Sequence, residues 1–133
     1  MADTASPRGV TRQIPRSEWK DYFDRFTQRH LKRGPPEAVT VEVLSPTLGD
    51  QFEARSERLV GVTYDPRSAA LELLLEDLDH LSFNPVEIWV IEADDGFVPT
   101  MELVRADGVR EILYIQRSGP PAPIYEGTSP PQA

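Results

Sequence analysis

The chain contains no cysteine. That excludes disulfides, thiol catalysis and cysteine-based zinc or iron–sulfur sites. It also favours a reducing compartment, since a secreted domain of this size commonly relies on disulfide staples. No apolar run approaches the roughly 20 residues of a spanning helix. The opening MADTASPRGV lacks the apolar core of a signal peptide. The expectation is a soluble cytoplasmic protein with no membrane attachment. Histidine is scarce, with two copies, which is little for a cysteine-free zinc site. There is no glycine-rich phosphate loop, and Ser17, Ser45 and Ser82 stand in no nucleophile elbow. Nothing in the composition names a cofactor.

What is present in excess is acid. The 133 residues carry a net charge of −8, unevenly spread. Residues 1–34 hold eight basic and four acidic side chains, net +4, and the remainder six basic and eighteen acidic, net −12. A body this acidic repels phosphate backbones, so nucleic acid is a disfavoured partner. The basic opening segment either folds back onto its own acidic sheet or presents a cationic helix face to an acidic partner. Proline is also abundant, at thirteen, but Pro7, Pro35, Pro36, Pro120, Pro121, Pro123, Pro130 and Pro131 fall in the termini or the first linker. The length suits one domain, expected over residues 14–116. Mobile tails are expected at 1–13 and 117–133. The run from Arg117 to Pro123 has the spacing of a polyproline ligand, although such spacings arise readily in a proline-rich, solubilising tail.

Trp19, Tyr22, Phe23 and Phe26, continued by Leu31, recur at the spacing of a helix that buries one face. The helix is expected from Glu18 to Lys32, with Ser17 as its cap and Gly34-Pro35-Pro36 as its stop. Val39, Val41 and Val43 alternate with polar residues as a strand does. Further strands are expected at 51–55, 59–64, 80–83, 86–91, 100–105 and 110–115. Residues 70–76 have helical composition but lie between turn signals, and strand is the reading adopted. A bend is expected at Asn84-Pro85. Asp107-Gly108 marks a hairpin, and a three-residue loop with a bulge at Gly108 avoids setting Arg105 opposite Arg110. One helix and five to seven strands joined by short turns predict an α+β domain. Its amphipathic helix packs on a strongly bent antiparallel sheet or a small SH3- or Sm-like barrel.

The opening Ile14-Pro15-Arg16-x-Glu18-Trp19 and the following Phe23-x-x-Phe26 resemble a family of small uncharacterised bacterial proteins, a domain of unknown function. The Val39–Leu44 strand, Gly61-Val62, His80 before a strand and the Asp107-Gly108 hairpin extend the resemblance from Ile14 to about Gln116. It implies one domain with a leading helix and carries no chemistry.

The functional candidates are few. Asp77, Asp79 and His80, with Glu76, form the one cluster able to look metal-binding or catalytic. An acidic turn with a capping histidine explains the same residues, and no catalytic or metal site is assigned. Asp94-Asp95-Gly96 is a fragment of a calcium loop without its remaining ligands. The helix aromatics are read as core rather than as a stacking platform. Arg25, Arg29 and Lys32, together with Trp89 on a strand, are the candidate binding residues. The reading adopted is a non-catalytic protein-interaction module whose partner is another protein or a second copy. The alternatives are a small-ligand or metal-dependent enzyme using Asp77, Asp79 and His80, and, third, a nucleic-acid-binding barrel.

Overall fold

A computed structural model describes residues 9–32 and 37–117. The expected tail before residue 9, the Pro35-Pro36 stop and the proline-rich tail from 118 lie outside the described residues. The elements are β1 (Gly9–Gln13), a 3-10 turn (Arg16–Glu18), α1 (Trp19–Phe26), a π-helical segment (Thr27–Lys32), β2 (Glu37–Ser45), β3 (Gly49–Asp65), β4 (Ala70–Leu75), β5 (Asp79–Phe83), β6 (Pro85–Ala93), β7 (Thr100–Arg105) and β8 (Arg110–Arg117). The strands form one antiparallel sheet in the order β1-β6-β7-β8-β2-β3-β4-β5, which leaves β1 and β5 as edges. The class is α+β with eight strands, more than the five to seven expected. Among the described residues no helix is long and apolar enough to cross a membrane.

The aromatic stripe packs as its spacing predicts. Trp19, Tyr22, Phe23 and Phe26 are all buried against inward residues of the sheet, including Val39, Val62, Leu71, Ile88 and Leu113. Trp19 meets Tyr64 edge to face at 5.2 Å. The helical run reaches Lys32 as expected, but only Trp19–Phe26 of it is α-helix. Ser17 does not cap it, because Pro15, with φ −60°, starts a 3-10 turn ahead of it and Ser17 lies inside that turn. The Trp19 indole N–H donates to the Ile14 carbonyl at 2.8 Å and pins the entry. Beyond Phe26 the chain widens into the π-helical segment. There the Thr27 hydroxyl donates to the Val62 carbonyl at 2.9 Å and accepts from the Val62 N–H at 3.0 Å. One side chain thus satisfies a backbone donor and acceptor of β3 past the end of its pairing with β2.

Two expected boundaries move. Gly9–Gln13, assigned to a mobile tail, pairs with β6 as the edge strand β1. Residues 51–55 and 59–64 join in the single long strand β3, kinked at Ser56 with φ +52° and with its N–H held by Thr40 Oγ1. Residues 70–75 are strand, as adopted. The bend falls at Asn84, whose φ is +54°. Its N–H donates to Ala69 and its carbonyl accepts from Ala106. In the last hairpin Val104, not Arg105, lies opposite Arg110, and Gly108 takes φ +86°. The bulged loop therefore separates the two arginines.

Candidate functional site

Two charged clusters lie on the inward side of the sheet, and they differ in how completely their charges are paired. The first centres on Glu111. In β8 residues 111, 113 and 115 face inward, so the alternation that buries Leu113 and Ile115 buries a carboxylate as well. Glu111 is fully buried. His80 Nε2 lies 2.9 Å from its Oε1 and Arg105 donates to Oε2 at 3.1 Å. The Ser82 hydroxyl also donates to Oε1. Burial alone pushes this carboxyl up, but the hydrogen bonds from His80, Ser82 and Arg105 outweigh it and hold it below its ordinary range. An ionised carboxylate only accepts, so His80 Nε2 carries the proton here.

Serine, histidine and glutamate are the members of a hydrolytic triad, but the arrangement is not one. Nucleophilic catalysis requires the base to hydrogen-bond the nucleophile, with the carboxylate behind the base. Here the carboxylate sits between the two, and Ser82 is fully buried. What this geometry does is neutralise a buried charge.

The second cluster lines a pocket of about 280 Å³ between the helical segment and the β6–β7 connection. β1 contributes Arg12, α1 contributes Tyr22, Arg25 and Phe26, and the π-helical segment contributes Arg29 and His30. Glu92, Asp94, Gly96 and Val98 lie on the facing side. Glu92 is already engaged. It accepts from Arg12 Nε at 2.9 Å and from the Tyr22 hydroxyl at 3.0 Å. The Arg12 hydrogen bond holds Glu92 low despite burial, and Tyr22 adds to the effect. Tyr22 itself is raised, by burial first and then by the Glu92 charge. His30 is lowered by burial, with Arg117 and Arg29 adding to the effect. Its ring lies over Phe26 at 4.9 Å.

Arg25 and Arg29 are exposed and make no ion pair among the described residues. The structure brings these two sequence candidates to one pocket and separates the others from it. Lys32 is exposed outside the lining. Trp89 is half-buried on the opposite face of β6 from Ile88 and Val90, with its indole N–H on Glu87 at 3.0 Å. Asp77 and Asp79 are exposed, while His80 turns inward to Glu111, so the three do not converge. Among the described residues no three His, Asp or Glu side chains stand close enough to share a metal ion. Asp95 is occupied by the Phe97 N–H and by Arg117. Sequence reasoning missed Arg12, Tyr22, His30 and Glu92, whose meeting depends on the unexpected strand β1. It also missed Glu111, although the parity of β8 places that residue beside Leu113 and Ile115.

The match to a family model covers residues 10–121, from β1 to beyond β8. The chain belongs to DUF5335, a family of unknown function. The DUF5335 match spans both charged clusters. A protein of Aquifex aeolicus (strain VF5), described as uncharacterized, is 37% identical over 112 residues, which is 84% of this chain and 96% of that one. No solved structure matches. Membership in DUF5335 transfers no reaction, so function must be argued from the geometry.

Proposed function

We propose that this protein is a non-catalytic protein-interaction module that docks an acidic partner on the helical face carrying Arg25, Arg29 and Lys32. One observation carries the reading: Arg25 and Arg29 are exposed, make no ion pair among the described residues and border the same pocket. Elsewhere among the described residues Arg12, Lys20, Arg67, Arg105, Arg110 and Arg117 each hold an acidic side chain within 4.0 Å, while Arg16, Arg55 and Arg58 hold none and line no part of the pocket. Acid is plentiful, so two unpaired arginines at the mouth of one pocket suit an acidic group from outside the chain. Because the whole chain is negative, long-range steering towards an acidic partner is weak, and docking depends on close contact. Trp89, facing away from the core, supports a second contact on the other face of β6. The small-barrel reading draws support from Asn84, which hydrogen-bonds to the start of β4 and to the turn after β7. The chain contains no spanning helix among its described residues, in keeping with a cytoplasmic module.

The test is affinity capture from native lysate, treated with nuclease, by the intact chain and by the triple variant Arg25→Glu, Arg29→Glu, Lys32→Glu. A stoichiometric protein retained by the first and lost by the second is the expected result. Equal retention by both removes the basic face from the function. A salt-sensitive, concentration-dependent self-association reassigns the partner to a second copy.

A further inference from the structure

We infer that the pocket beside Arg25 and Arg29 is the anchor of this docking face, and that it takes a single carboxylate on a short apolar stem, such as a glutamate side chain of an acidic peptide segment. The inference rests on the docking reading above and adds where the partner is gripped and by what chemistry.

Charge comes first. Arg25 and Arg29 are four residues apart, a spacing at which like charges on one helical face repel each other. An anion placed between them converts that repulsion into two charge-assisted hydrogen bonds. The carboxylate nearest to hand cannot serve, because Glu92 is held by Arg12 and Tyr22. Arg12 and Glu92 cancel, and Asp94 offsets one of the two remaining arginines. With His30 neutral, one positive charge is left over. That surplus matches a monoanionic carboxylate better than a dianionic phosphate.

Shape comes second. The lining includes Phe26 and Val98, which are 4% and 2% exposed, whereas Arg25 and Arg29 are solvent-exposed. Cations at the mouth of a mixed lining, with Phe26 and Val98 mostly covered beneath, suit a charged head on a short stem. About 280 Å³ is at the lower edge of the roughly 300–1,000 Å³ typical of small-molecule sites. It accommodates a side chain rather than a nucleotide.

The test uses the intact, isotope-labelled protein titrated by NMR with a blocked eight-residue peptide of alternating Glu and Leu. The Gln/Leu counterpart and inorganic phosphate serve as the other probes. The Glu peptide is expected to move the Arg25 and Arg29 guanidinium signals and the His30 ring, and to bind at least about tenfold more tightly than the Gln peptide. Arg25→Gln and Arg29→Gln should each weaken it by about tenfold, and Lys32→Gln, outside the pocket, by less than about twofold. All three residues are exposed, so the variants keep the fold. Equal losses from Lys32→Gln and Arg25→Gln overturn the anchor and leave the docking face standing as a diffuse field. Equal binding of the Gln peptide, or tighter binding of phosphate on the same signals, overturns the carboxylate. The docking reading fails separately, when capture of the partner survives reversal of all three cations.

Discussion

At the start of β8, Glu111 gathers His80, Ser82 and Arg105 around a fully buried carboxylate. Around the pocket, Arg25, Arg29 and His30 stand near Glu92, whose oxygens are already held by Arg12 and Tyr22. Both clusters combine arginine, histidine and glutamate. In the first, the buried carboxylate meets an arginine and a histidine inside the chain, and the hydrogen bonds tie β5 and β7 to β8 in one knot. In the second, two arginines remain at the surface and make no ion pair among the described residues. Paired buried charge serves the fold, and unpaired exposed charge is available to a partner. Residue types alone did not separate the two: His80 looked like the chemical candidate, and its ring meets the buried Glu111 rather than Asp77 or Asp79.

The sharpest break of that contrast is Glu111→Ala, which takes the buried acceptor from His80, Ser82 and Arg105 and leaves Arg105 only the exposed Asp107. A loss of about 3 kcal/mol is expected in urea melts. A loss below about 1 kcal/mol would show that the knot contributes little to the fold. Glu111 is held low, so its contribution is present above the ordinary range of an unfolded glutamate. It disappears as pH falls through the depressed folded value.

Glu37 sharpens the comparison from the other side. It is 2% exposed and its Oε1 has no hydrogen-bond partner among the described residues. Burial pushes its carboxyl up from 4.5 to about 7, with Arg117 pulling weakly the other way. Between those values the folded state binds the proton that the unfolded state has released. Stability from this group is therefore fully present below 4.5 and is lost as pH rises through about 7. Glu37→Gln is expected to stabilise the protein at pH 8 by about 2 kcal/mol and to be near neutral at pH 4. A gain that is the same at both pH values would mean that ionisation is not the cause.

Smaller effects follow at the helix. Thr27→Val removes both bonds to Val62 and should cost about 1–2 kcal/mol. Hydrogen exchange of the Val62 amide should quicken more than that of Tyr64; uniform quickening would deny Thr27 its role as a local strand partner. Arg25→Gln with Arg29→Gln should change stability by less than about 0.5 kcal/mol in thermal melts. A large destabilisation would place these arginines with the structural cluster.

The sequence showed the parts whose causes are local. The spacing of Trp19, Tyr22, Phe23 and Phe26 gave the buried face, the valine alternation gave β2, and Asp107-Gly108 gave the bulged hairpin. It concealed the parts that depend on distant partners. Gly9–Gln13 is almost wholly exposed, so no apolar alternation marks it, and only β6 makes it a strand. The length of β3 was hidden by a kink at Ser56 that Thr40 stabilises from β2. Arg25 and Arg29 were legible as a basic face, but the pocket was not, because its far side comes from residues 92–98.

The most direct test combines both clusters: nuclease-treated capture of the partner, at a temperature where all chains are folded, by the intact protein, by Glu111→Gln and by Arg25→Gln with Arg29→Gln. Capture kept by the Glu111 variant and lost by the arginine variant is the expected outcome. Capture lost by the Glu111 variant and kept by the arginine variant would place the binding function in the buried knot and refute the division drawn here.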